Sequence, residues 1–599
     1  MAKLWKSDTF RLFILFWISI VIRLIPTRKW VYGMDEAMHL LEISFVLSRS
    51  FQGAKPGYSI LLTTIVLFIG NQNPVFIRFL SIIFASFLVF VGYSFGKSLG
   101  GKHVGLWTAV FLTFHHRIFD MSYWIMTDIP FTFLSFLALY FIYRNFELLK
   151  VPKNGGKFAF LAGILCGISY LVRQLGIYLI ILAIFLYFLS RGTSFSKRLN
   201  NAVTLFSGLF IMLIPWFLWN YIYHGVFDVT VNFVDISFIS KFDFTLTALI
   251  WSLLFLGMGL CGVLLLIYKK IIFRHIYLYL SIICTTAVYA LTLFLHLYFI
   301  VPNAFLSQLI YYLVQIPGFA VGFHLINPYG INYLAIIVSI ITVPILFIGF
   351  MVTYKTNKSL TIISLTSSVF LILFLCIIIF RSDRYIFPMV PLLSSFLIVG
   401  VLRLKDIFFS FIAYPLLSKS EQLMKHFSAA PFLSMQIVTV SFLLIILMPN
   451  IVADGLADKY YLSFDEMTVT SPLWREYITA ALWFRENSDQ QAKVMTFKNF
   501  DFEYYSHRKC IPPHPQIYDE YYKIYGEQVY VTELMKLMRS HNITYIVFGP
   551  FGYSDRLLFW ISDPITAPSY LDVIYLVDSP KVIIYEINWS EYIAKTPLD

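Results

Sequence analysis

Residues 56–70 read PGYSILLTTIVLFIG, an apolar run opened by a Pro-Gly pair. Whether this run crosses a bilayer or lies along its surface sets the sidedness of everything after it. A helix needs roughly 20 apolar residues to cross the hydrocarbon, and short loops rich in Lys and Arg stay in the cytoplasm. The preceding run, FRLFILFWISIVIRLI (10–25), is long enough to span, has Lys3, Lys6 and Arg11 at its start and lacks a small-residue cleavage site. It is expected to remain as a first transmembrane helix, with the N-terminus cytoplasmic. If 56–70 also crossed, the basic loops KSLGGKH (97–103), RNFELLKVPKNGGK (144–157) and RGTSFSKR (191–198) would all fall outside. If it lies at the surface, all three fall inside, as do Lys269, Lys270, Arg274, Lys355, Lys358, Arg403 and Lys405, and the acidic stretch with Asp228, Asp235 and Asp243 falls outside. The charge count therefore predicts a juxtamembrane helix over 56–70.

Composition sets the same class. Of 599 residues 59% are hydrophobic and 13% charged, and the mean hydropathy is +0.75, outside the range of soluble globular domains. The net charge of +12 lies in residues scattered between apolar runs, which topology and anionic lipid head groups already require, so no nucleic acid is expected as a partner. Cys166, Cys261, Cys284 and Cys376 lie inside apolar runs and only Cys510 in a polar region, which leaves no disulfide framework and no zinc cluster. No cofactor is expected, and the sequence does not indicate a divalent cation.

The predicted fold is a polytopic α-helical membrane protein of about 13 spans, near 10–28, 75–95, 104–119, 128–143, 158–172, 174–190, 202–222, 246–268, 276–298, 331–353, 360–380, 385–402 and 432–448. The run 304–322 reads as a further surface or re-entrant helix, and no internal repeat of the transporter kind is visible. Residues 1–449 form the transmembrane domain. An odd number of spans puts the polar, Tyr-rich tail 450–599 on the extracytoplasmic side, where it has the size of one small domain. Helices from Pro472 to about 486 and from Thr532 to about 541, with strands at KVMTF, TYIVFG, DVIYLV and KVIIYEI, predict a small C-terminal α/β domain. Two triplets in it, Asn542-Ile543-Thr544 and Asn588-Trp589-Ser590, have the glycosylation pattern, a short motif that also arises by chance.

With this topology the adjacent carboxylates Asp35 and Glu36, in VYGMDEAMHL (31–40), face the exterior, and so do Asp120 and Asp128 in FDMSYWIMTDIPF (119–131). Asp128 opens an apolar run and also suits a helix N-cap facing the positive end of the dipole. Cations join them: Lys55 in GAKPGY, Arg173 in LVRQLG between two spans, and Arg381 and Arg384 in FRSDRYIFP. Each alone suits an interfacial snorkelling residue. Together, cations beside carboxylates at one membrane surface suit a phosphate leaving group and a carboxylate that deprotonates the attacking group. A charge such as Arg173 between closely spaced apolar runs calls for a partner, which is either one of the acids or a ligand. His39, four residues after Asp35, shares a helical face with it if that segment is helical. His115 and His116 precede Asp120 at no recognised metal spacing, and no dedicated metal site is expected.

The order of Met34-Asp35-Glu36, Lys55-Pro56 opening a short surface helix, Thr127-Asp128-Ile129-Pro130 at a span, and RYIFPMVP (384–391) resembles the GT-C membrane glycosyltransferases. The nearest branch is that of the protein O-mannosyltransferases and the lipid A aminoarabinose transferase. The resemblance covers most of the first 400 residues and, more loosely, the C-terminal domain. It implies transfer of a sugar from a polyprenyl-phosphate donor to a lipid, glycan or protein acceptor on the outer face, by a single displacement with inversion. By the same resemblance Asp35 matches the catalytic acidic residue, Asp128 the second acidic position, and Lys55 the lysine that meets the lipid phosphate. The aminoarabinose transferase pattern has Arg where Met38 stands and Glu where Ala54 stands, so the same sugar and acceptor do not carry over. Two other classes use the same residues: a secondary transporter or flippase with its acids and Arg173 as a relay in the membrane, and a non-catalytic scaffold whose outer domain binds a partner. The missing repeat and the loop position of Asp35-Glu36 speak against the first, and neither requires acids and a phosphate-type lysine on one face.

Overall fold

The computed structural model describes residues 7–24, 40, 41, 43, 56–70, 73–122, 124–148, 155–189, 194–224, 315, 320, 321, 326, 327, 330, 331, 333–377, 383–408, 472–496, 498–513, 527–549, 558–578 and 581–595. The chain divides into two compact units, one of residues 1–25, 52–61 and 78–457 and one of 26–51, 62–77 and 458–599.

The apolar runs become helices wherever they are described: α1 (Asp8–Leu24), α2 (Pro56–Ile69), α3 (Pro74–Gly100), α4 (Lys102–Thr113), α5 (His116–Ser122), α6 (Asp128–Leu148), α7 (Gly155–Val172), α8 (Ile177–Leu189), α9 (Phe195–His224), α10 (Tyr333–Thr356), α11 (Lys358–Ile377) and α12 (Val390–Phe408). Among the described residues five stretches, Pro74–Gly100, Asp128–Glu147, Phe195–Trp219, Val338–Thr356 and Ile386–Leu404, are long and apolar enough to cross a membrane. The protein is thus a helical integral membrane protein. The expected spans 246–268, 276–298 and 432–448, and most of 304–322, lie outside the described residues, so the total of about 13 remains a reading of sequence. The helix α2 has 14 residues, about 21 Å at ~1.5 Å per residue, against roughly 30 Å of hydrocarbon.

One expected span is interrupted. The run 104–119 breaks after Thr113, because the Nδ1 of His115 accepts the Ile118 N–H at 3.4 Å and so caps a new short helix, α5, while the His115 ring sits edge-on to Phe111. Close helix packing relies on glycine. In α7 and α9, Gly163 and Gly208 face the partner helix's backbone, and a Cβ on either would come within 2.0 Å and 2.3 Å of the Leu205 and Phe160 carbonyl oxygens; only a small residue allows helices to approach this closely in lipid. Buried hydroxyls such as Ser86 and Thr113 donate back to the carbonyls of Ile82 and Ala109, which satisfies them where water is absent.

The C-terminal part carries α13 (Pro472–Asn487), β1 (Lys493–Thr496), α14 (Asn499–Ser506), β2 (Lys509–Ile511), α15 (Glu527–Ser540), β3 (Tyr545–Phe548), β4 (Leu571–Asp578), β5 (Lys581–Ile587) and α16 (Trp589–Lys595). The strands form a five-stranded sheet in the order β2-β1-β3-β5-β4. The first three run parallel, and β5 and β4 add antiparallel. Tyr530, Leu534, Met535 and Met538 put a 3.6-residue stripe of α15 onto Ile546, Phe548, Ile583 and Tyr585. Each fully buried apolar side chain of this size contributes about 1.5–3 kcal/mol. On the opposite face, reached by alternation along β3, Phe484 of α13 meets Tyr545 edge-on at 4.9 Å. The expected strands and both expected helices are present, although the second helix starts at Glu527 and not at Thr532; β2, α14 and α16 were not foreseen, because KCI, NFDFEYYS and WSEYIAK are too short and too mixed to show a period.

Both glycosylation-type triplets have local structural uses. Asn542 adopts φ 55° at the end of α15, where its N–H donates to Arg539 O and the Ile543 N–H to Met538 O, a Schellman closure that favours Gly or Asn. Asn588 Oδ1 accepts the Glu591 N–H at 3.1 Å and so caps α16.

Near α14 the half-buried Glu503 carboxylate accepts the Cys510 N–H at 3.0 Å, and its burial pushes its pKa above the usual glutamate value. The stabilising effect of its neutral form is complete below that usual value and is lost as pH rises through the elevated one. Glu503→Gln keeps an acceptor oxygen and stays neutral, so in thermal melts over mildly acidic to neutral pH it should remove a fall in stability that the wild type shows. Parallel melting curves against pH for the two proteins would count against this account of Glu503.

Candidate active site

The described members of the sequence-read constellation sit where helices start or end. Asp128 is the first residue of α6 and is 2% exposed. The N–H groups of a first helical turn lack intrahelical partners, so Pro130, which has none to offer, costs nothing there, and the carboxylate lies near the positive end of the helix dipole. Arg173 follows the last residue of α7. Its N–H still donates to Ser169 O at 2.9 Å, but its backbone has turned extended, with φ −155° and ψ 124°, ahead of a 3-10 turn over Gln174–Gly176. The two side chains meet: Arg173 Nη1 donates to Asp128 Oδ1 in a buried ion pair. Arg173 also lies over the Phe131 ring, 6.0 Å from its centroid. The partner that a charge between two apolar runs requires is therefore Asp128, one of the two options that the sequence left open.

A second pair lies on α5, which packs on α6. Arg117, 5% exposed, donates to Asp120 Oδ2 at 3.3 Å, one turn along the same helix. The Arg117 guanidinium lies 5.8 Å from the centroid of Phe387, within the 3-10 turn Asp383–Met389 that packs on α6 and leads into α12. Arg384 belongs to this turn. Asp120 is thus engaged by Arg117, a residue that sequence reasoning missed. Its signal was present in HHRIFD (115–120), where Arg and Asp stand three apart, the spacing that pairs them on a helix.

A further buried cation, also unremarked in the sequence, ties neighbouring helix ends. Arg23, fully buried in the last turn of α1, donates to Ser19 O at 3.1 Å and through Nη2 to Leu112 O at 3.3 Å. Leu112 lies in the last turn of α4, whose carbonyls lack helical partners and favour a cation. Asp35, Glu36, His39, Lys55 and Arg381 lie outside the described residues, as does the side chain of Arg384. Among the described residues no group of His, Cys, Asp and Glu is placed to hold a metal ion.

The end of α1, the end of α4, the short helix α5, the start of α6 and the end of α7 carry these contacts. The architecture matches known structures. The archaeal oligosaccharyltransferase AglB from Archaeoglobus fulgidus, solved with an inhibitory peptide and a dolichol-phosphate, superimposes with a TM-score of 0.56 over 97% of this chain and 74% of its own, at 12% identity. ArnT from Cupriavidus metallidurans superimposes with a TM-score of 0.54 over 97% of this chain and 98% of its own, at 11% identity, in the apo state and bound to undecaprenyl phosphate. The chain has the GT-C glycosyltransferase fold.

Residues 55–219 of this GT-C protein also match the family model for dolichyl-phosphate-mannose-protein mannosyltransferases. That segment runs from Lys55 through Asp128 and Arg173 to the end of the Phe195–Trp219 stretch. Among curated protein sequences none matches significantly, so the likeness is carried by the fold and by this one segment. The resemblance to the protein O-mannosyltransferase and aminoarabinose transferase type is borne out.

Proposed function

We propose that this GT-C protein is a membrane glycosyltransferase that moves a sugar from a polyprenyl-phosphate donor to an acceptor on the extracytoplasmic face, with inversion at the anomeric carbon. The observation that carries this reading is the buried Asp128–Arg173 pair, set at a junction of helix ends inside the segment that matches the mannosyltransferase family model. A buried ion pair is weak evidence of a stabilising device, and ionisable residues within membrane segments are candidates for functional sites. The same fold binds a dolichol-phosphate in the archaeal transferase and undecaprenyl phosphate in ArnT.

In this mechanism the Asp35 carboxylate takes the proton from the acceptor nucleophile, which attacks the anomeric carbon as the bond from that carbon to the phosphate oxygen breaks. The electron pair stays on the departing polyprenyl phosphate. Lys55 meets that phosphate, with Arg381 and Arg384 adding positive charge near it, since cations that face developing negative charge stabilise the transition state. Asp128, the second acid, is oriented by Arg173, while Asp120 with Arg117 supports the turn that carries Arg384. Glu36 and His39 flank the base. The basic loops on the opposite side support a cytoplasmic N-terminus and an extracytoplasmic C-terminal domain over 450–599.

Incubating the purified protein with a panel of polyprenyl-phosphate sugars, and following free polyprenyl phosphate by mass, should show acceptor-dependent release from at least one donor. Movement of a lipid or solute across a vesicle membrane without any such release would overturn the reading.

A further inference from the structure

The last turn of α7, which leads into Arg173, is gripped from two sides by glycines. On one side Gly57, in the first turn of α2, lies so near that a Cβ there would stand 2.8 Å from Leu171 Cβ, 2.9 Å from Leu171 C and 3.1 Å from Val172 N. On the other side a Cβ on Gly176, in the 3-10 turn, would stand 2.6 Å from Tyr170 N and 2.7 Å from Ser169 C. Apart from the Leu171 Cβ, which is itself fixed to the backbone, these are backbone atoms, which do not step aside as the tip of a flexible side chain does. Arg173 is tied to the same turn through its N–H to Ser169 O at 2.9 Å. By contrast, Gly156 at the other end of α7 has nothing within 4 Å of its would-be Cβ, so an added methyl group there meets open space.

Gly57 stands two residues after Lys55, and successive Cα atoms are about 3.8 Å apart. We propose that Gly57 is a positioning residue: its contact with Leu171–Val172 docks the start of α2 onto the Arg173 corner and so sets the spacing between the phosphate-binding Lys55 and the Asp128–Arg173 pair. This rests on the function proposed above and deepens it, because the lipid phosphate then meets its cation only when α2 is seated. An added methyl group at position 57 must lift α2 from α7 by a few tenths of an ångström or more. Displacements on the order of 1 Å in a positioned group can cost roughly 100-fold in rate.

The test is a double-mutant cycle on the full-length protein in detergent, reading the dissociation constant for undecaprenyl phosphate alongside thermal unfolding. Gly57→Ala should weaken binding by about tenfold or more, the size of a lost charge-assisted contact, and Gly156→Ala should leave it unchanged. In a Lys55→Ala background the same Gly57→Ala change should have little further effect, since coupled residues are not additive. A purely structural role for Gly57 would lower the unfolding temperature and leave the binding of the folded fraction unchanged. Unchanged binding in Gly57→Ala, or equal losses with and without Lys55, overturns the inference. Wild-type protein that binds neither undecaprenyl phosphate nor dolichyl phosphate would instead overturn the proposed function.

Discussion

Asp35→Asn should lower turnover by roughly two to four orders of magnitude, the usual contribution of a positioned general base, while donor binding survives. Asn has the shape of Asp and lacks only its ability to take up a proton, so a loss confined to turnover would identify the step as proton removal from the acceptor. Folding should be nearly unchanged, since Asn keeps the size and shape of Asp. Glu36→Gln should cost less if Asp35 is the base as proposed, because adjacent residues point in different directions. Release of polyprenyl phosphate, measured for both variants in one assay, separates the roles. A larger loss in Glu36→Gln makes Glu36 the base and Asp35 its neighbour, and rates near wild type in both remove the acidic pair from the mechanism.

The second large effect is expected at the Asp128–Arg173 pair. With Asp128 2% and Arg173 8% exposed, Asp128→Ala deprives a buried guanidinium of its carboxylate partner, a change that typically costs about 3–5 kcal/mol. Thermal unfolding in detergent should register it as a marked destabilisation. Replacing both charges, as Asp128→Leu with Arg173→Met, should recover most of that stability, because an apolar pair of similar volume is often as stable as a buried ion pair or more so. Turnover should stay low in the double variant if Asp128 is the second acid of the site. Recovery of turnover together with stability would show that the pair only holds the helices, and an undisturbed Asp128→Ala protein would contradict the ion pair itself.

The helical membrane class, the run of helices where they are described and the outline of the C-terminal α/β domain were legible from sequence. The signals behind them are local or summed: apolar length, charge between runs, and alternation in strands such as KVIIYEI. The break at His115 was not legible, because capping by an imidazole competes with a run that otherwise reads as one apolar span. Arg117 was passed over for a related reason: its value lies in Phe387, some 270 residues away in the chain, as much as in Asp120.

By itself, then, the sequence determined that this is a membrane protein with a small α/β domain, that acids and cations recur at the span ends, and that Arg173 had to have a partner, because a bilayer penalises any lone charge wherever it falls. Which partner Arg173 takes was decided only in the tertiary structure. Asp128 lies 45 residues upstream, and nothing in either segment alone states the distance between the start of α6 and the end of α7. That distance is set by packing, in which glycines at 57 and 176 let α2 and the 3-10 turn close on the same corner, and packing depends on the fit of surfaces that are far apart in the chain.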